Sequence, residues 1–117
     1  MVSAHLEVLR DKHWEYVAKL HHWSTKSPQV LWHSYGEFQI PFRGLPQDIS
    51  DMTDTCVLTD AENQEFMNPT WITLEELRKR LSQLPYDKDF ENWVICCEGF
   101  EAHQLETRIV FWMQAYT

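Results

Sequence analysis

The sequence predicts an α+β domain, a mainly antiparallel sheet of about four to five strands packed with an N-terminal helix and a second helix at about 73–84. Three observations carry that prediction. A helix start with both halves of a capping box stands at 73–76, two strongly apolar runs follow at 93–97 and 109–113, and residues 37–42 alternate apolar with polar. The resulting order, α-β-β-(β)-α-β-β, belongs with α+β architectures. At 117 residues the chain reads as one domain, 1–117, able to bury about two-thirds of its unfolded surface.

Residues 3–24 read as an amphipathic helix. Leu6, Leu9, His13, Val17 and Leu20 recur at three- and four-residue spacing, with Arg10, Asp11, Lys12, Glu15 and Lys19 mostly elsewhere. Ser3 stands as its N-cap, and His21-His22-Trp23-Ser24 ends it. After a polar loop to Pro28, residues 29–33 and 37–42 flank Ser34-Tyr35-Gly36 as a hairpin, with Pro41 marking an edge or a strand end. Arg43-Gly44-Leu45-Pro46 is a turn, Cys56 to Thr59 a short strand, and Asp60 to Asn63 a turn after it.

The second helix has the clearest signals. Thr73 accepts from the N–H of Glu76 while Glu76 reaches back to the Thr73 N–H, and Ile72 and Leu77 staple the start. Leu74, Leu77, Leu81 and Leu84 form its apolar stripe, and Pro85 stops it. Trp93 to Cys97, apolar on both faces, reads as a strand in mid-sheet. Ile109 to Met113 is its expected hairpin partner across Gly99 to Gln104, which puts Arg108 opposite Glu98 or Glu101.

Charge is the most informative bulk property. Residues 1–43 carry five Lys/Arg against four Asp/Glu, whereas residues 44–117 carry five against fourteen. Between Arg43 and Arg78 there is no basic residue, and eight acids stand there: Asp48, Asp51, Asp54, Asp60, Glu62, Glu65, Glu75 and Glu76. Such a field repels nucleic acid and favours cationic partners. No direct nucleic-acid binding is expected on that ground. No apolar run approaches the ~20 residues that span a bilayer, and the N-terminus lacks the pattern of a signal peptide, so a cytoplasmic protein without membrane contact is expected. Three cysteines, two of them adjacent, imply no disulfide framework but reduced, mostly buried thiols.

Chemistry-bearing motifs are few. Three scattered glycines form no phosphate loop, and no Gly-x-Ser-x-Gly, His-Glu-x-x-His or Cys-x-x-Cys occurs. His21, His22 and His33 are the metal candidates. On the expected helix, however, His13 and His21 stand ~12 Å apart, too far for one ion. The preferred reading places His13 in the core stripe and His21 and His22 at the helix C-terminus, where the dipole favours imidazolium. Cys96 or Cys97 with His103 as base is disfavoured by the apolar surroundings, which raise a thiol pKa. Arg78-Lys79-Arg80 complements the C-terminal dipole of the second helix.

The acids at 48, 51 and 54 admit two readings, a solvated loop or an acidic contact surface. With six tryptophans in the chain, Trp14 and Trp23 stand as candidate exposed anchors, of the kind enriched at binding hot spots. The expected protein has no catalytic residue and no cofactor. It binds a protein with a basic surface through Asp48, Asp51, Asp54, Asp60, Glu62 and Glu65 with Trp14 and Trp23, as inhibitors, immunity proteins and nucleic-acid mimics do, phage or bacterial defence-related ones among them. Two alternatives stand beside it. One is a small metal-dependent or His/acid-based enzyme using His21, His22 and His33. The other is a homodimeric or larger structural assembly through an open strand edge.

Overall fold

Residues 2–20 fold as a hairpin, not as a helix. In the computed structural model, which describes residues 2–21, 43–63, 67–83 and 86–113, strands β1 (Val2–Arg10) and β2 (His13–Leu20) pair antiparallel. The turn between them decides the matter. Asp11 and Lys12 have φ of 51° and 67°, the left-handed pair that a two-residue type I′ turn requires and a right-handed helix cannot contain. Asp11 suits the first position, but Lys12 stands where glycine is usual, so the turn carries only half of the usual flag. Ala4, Leu6 and Val8 are buried toward one face while Ser3, His5 and Glu7 alternate between them. The helical spacing of Leu6, Leu9, His13, Val17 and Leu20 is coincidental: His13 is exposed, and Ser3 is a buried strand residue, not a cap. A bulge at Leu6/Glu7 leaves Val17 unpaired between Tyr16 and Ala18, which keeps Trp14 and Tyr16 on the face of His5 and Glu7.

Two further elements differ from expectation. Cys56 to Thr59 lies inside α1 (Asp51–Glu62), whose N-cap Ser50 accepts from Thr53 N. Trp93 to Cys97 lies inside α3 (Lys88–Glu101), where the Asp87 side chain accepts from the N–H groups of Asp89 and Phe90 at 2.9 and 3.2 Å. Phe90, Trp93 and Cys97 are its buried apolar positions, a helical period that overrides the strand-like Val-Ile-Cys-Cys composition. Helix α2 (Leu74–Leu81) forms where expected, with both halves of the Thr73–Glu76 capping box present. Leu84 and the expected hairpin at 29–42 lie outside the described residues.

Strand β4 (Thr107–Met113) also stands where expected, but its neighbours are β1 and β3 (Met67–Thr73). The sheet runs β2-β1-β4-β3, antiparallel throughout. Arg108 therefore sits between Glu7 and Thr73, not opposite Glu98 or Glu101. Helices α2 and α3 cover one face of the sheet over Leu6, Ile72, Ile109 and Phe111, where Leu77, Phe90 and Trp93 meet them. Helix α1 lies on the other face, with Val57 packed on Val110 and Trp112. Because β4 is covered on both faces, its run is apolar without alternation. Among the described residues no helix is long and apolar enough to cross a membrane.

Candidate partner-binding site

The α1 face of the sheet carries a row of buried charge. Glu7 is fully buried on β1, and its Oε1 accepts from Arg108 Nε at 2.8 Å and lies 2.7 Å from Nη2. Its Oε2 accepts from the backbone N–H of Ser50 at 3.0 Å, which hangs the start of α1 on the sheet. Arg108 also donates to Asp48, from Nη1 to Oδ1 at 2.7 Å and from Nη2 to the backbone carbonyl at 3.0 Å. Its guanidinium lies 4.0 Å from the ring centre of Trp14. The hydrogen bond from Arg108 holds the Asp48 carboxyl below the usual carboxylate range despite some burial.

A second unit of the same make stands nearby. Arg43 bonds both carboxylate oxygens of Glu76, donates to the Trp71 carbonyl at 3.2 Å, and lies 4.4 Å from the Trp71 ring centre. Burial pushes the Glu76 carboxyl up, but the bonds from Arg43 and the Thr73 N–H outweigh it and leave it lowered. Between the two units lies an open groove of about 680 Å³, lined by Trp14, Trp71, Leu45, Pro46, Asp48 and Glu106 among others. In size it matches the concave sites that hold ligands.

From Ser50 the polar row continues inward. Ser50 Oγ lies 2.9 Å from Thr53 Oγ1, which lies 3.1 Å from His5 Nδ1. The His5 ring packs edge-on against Tyr16 and tilted against Trp112, with centroids 4.9 and 5.2 Å away. Trp112 Nε1 donates to Asp60 Oδ2 at 2.7 Å. Burial lowers the His5 pKa, Lys19 lowers it further, and Glu7 and Asp60 oppose the shift. A histidine whose folded pKa lies below its unfolded value binds its proton more readily in the unfolded chain. Stability is therefore held above pH ~6.5 and lost as pH falls toward the folded pKa. The urea midpoint is expected to drop between pH 7 and 5, and His5→Gln to flatten that drop. An unchanged slope in the variant would show that other groups set it.

The structure brings some predicted site residues together. Trp14, Asp48 and Asp51 line one cleft of about 450 Å³ between the β1–β2 turn and the start of α1. Asp51 and Asp54 are exposed in the first turn of α1, where the helix N-terminus favours carboxylates. Glu62 is exposed at the far end, and Asp60 is half-buried against Trp112. Glu65, Trp23, His22 and His33 lie outside the described residues. His21 is exposed, and its carbonyl accepts from Trp93 Nε1 at 2.9 Å. Among the described residues no three His, Cys, Asp or Glu side chains converge as metal ligands. Cys97 is buried and its thiol pushed up to about 11, mainly by desolvation, which removes the thiolate a nucleophile needs. The chain matches no protein-family model, no curated protein and no solved structure.

No local pattern in the sequence marks Glu7, Arg43 or His5, and Arg108 is expected opposite Glu98 or Glu101 where the structure pairs it with Glu7. Arg108 did carry a signal, as a lone cation opening an apolar strand that must find a buried carboxylate. Its partner lies 101 residues away, and no local pattern names it.

Proposed function

We propose that this protein acts by binding a basic protein surface through the exposed face of α1. One observation carries the reading: Leu58 is 58% exposed on a helix face that also holds Asp51, Asp54 and Glu62. Asp54 and Glu62 stand one turn either side of Leu58, and Asp51 two turns before it. An exposed apolar side chain inside an acidic rim has the anatomy of a contact anchor, the rim steering a cationic partner and the centre excluding water. Trp14 and Asp48 extend that surface beyond the N-terminus of α1. The excess of fourteen acids over five bases in residues 44–117 supports a basic partner.

The test compares affinity capture from cell lysate by the native chain and by a variant carrying Asp51→Lys, Asp54→Lys and Glu62→Lys. The native chain is expected to retain one partner that moderate salt releases. The variant is expected to retain it about tenfold less or worse, since each like charge across the contact repels. Leu58→Ala should weaken capture without changing its salt dependence. Equal capture by the native and charge-reversed chains would remove α1 as the site.

A further inference from the structure

The groove between Trp14 and Trp71 lies beyond the N-terminus of α1, and its chemistry is specific. Both of its arginines are already engaged in their own planes. Arg108 directs its donors to Glu7 and Asp48, and Arg43 directs its donors to Glu76 and the Trp71 carbonyl. An incoming anion would have to break one of these pairs, and Arg108 is only 5% exposed. Around the groove four carboxylates, Glu7, Asp48, Glu76 and Glu106, stand against these two guanidiniums. The excess is negative and lies on the rim, where the Asp48 side chain is 67% exposed and Glu106 is exposed. The walls are mixed: two half-buried indoles with Leu45 and Pro46 form the apolar part, and Gln47, Thr73 and Thr107 the polar part. Each indole already stacks with one of the protein's own guanidiniums, and both rings also line the groove.

An acidic rim above partly apolar, electron-rich walls fits one kind of group, a cation on an aliphatic stem. We propose that this groove seats an arginine or lysine side chain of the partner protein, the stem against Trp14, Trp71 and Leu45 and the charged head at Asp48 and Glu106. The proposal rests on the reading of the protein as a binder of basic surfaces and supplies the anchor pocket for it. Asp48 belongs both to this groove and to the cleft leading to Asp51, so a partner lying along α1 reaches the groove without a break.

The test uses a probe in place of the partner. Indole N–H resonances are assigned with Trp14→Phe and Trp71→Phe, and the native chain is titrated with a short acetylated peptide holding one arginine. A second peptide with citrulline in its place keeps the shape and removes the charge. The Trp14 and Trp71 resonances are expected to shift with the arginine peptide, with binding about tenfold weaker for citrulline. Glu106→Gln, an exposed change, should weaken the arginine peptide about threefold while leaving the spectrum otherwise native. Resonances that stay still, or that move equally with citrulline, would overturn the proposal. So would a response to free spermidine with none to the peptide, which would assign the groove to a small polyamine. The peptide result does not depend on α1: loss of lysate capture in the charge-reversed variant with peptide shifts intact upholds both readings. Peptide shifts with equal capture by both chains uphold the groove and remove only the α1 face.

Discussion

Replacing Arg108 by Met is expected to lower the unfolding free energy by about 3–5 kcal/mol, the usual effect of leaving one member of a buried ion pair without its partner. Glu7 is 0% exposed and Arg108 5%, so water cannot reach the carboxylate the change would strand. The Ser50 N–H would remain its one hydrogen-bond donor among those described. The damage should extend beyond the sheet. Asp48 would lose the guanidinium that ties it to β4, and Trp14 the cation beneath its ring. The double variant Glu7→Leu, Arg108→Met separates charge from packing. It is expected to be more stable than Arg108→Met alone, because no uncompensated charge stays buried. Urea denaturation of the three chains reads this directly from their midpoints, provided the slopes agree. A loss under about 1 kcal/mol for Arg108→Met would show a site open to solvent, as for surface pairs.

How much of this was legible follows from the range over which each signal acts. The Thr73–Glu76 box is contained within four residues and was read correctly, as was the unbroken apolar run of β4. The hairpin at 2–20 was misread because Asp11–Lys12 adopts a left-handed turn without glycine or asparagine, while accidental helical spacing competed with true alternation. Five of the partner acids stand out by charge alone, and Trp14 as a candidate exposed anchor. Their different fates were not legible: Asp51, Asp54 and Glu62 face solvent, while Asp48 and Asp60 bond Arg108 and Trp112. Those bonds join residues 60 and 52 positions apart, and the packing of α1 and the segment before it on β4 brings them together.

The misread segment 93–97 yields the sharpest test of the fold. In a strand, Trp93 and Ile95 would share a face and enter the core together. In α3 they diverge: Trp93 is 2% exposed and Ile95 57%. Trp93 packs edge-on against Phe90 with ring centroids 5.0 Å apart, and its indole N–H ties the end of β2 to the helix through the His21 carbonyl. Trp93→Ala is therefore expected to cost about 3–5 kcal/mol, from lost burial, an unfilled cavity and the lost bond to the His21 carbonyl. Ile95→Ala should fall within about 0.5 kcal/mol of the native chain, as surface changes do. Its effect is kept small because alanine is also the better helix former. Comparable losses at both positions would restore the strand and overturn the placement of α3. A large loss at Trp93 alone fixes the segment as a helix whose buried stripe is Phe90, Trp93 and Cys97, with Ile95 turned to water.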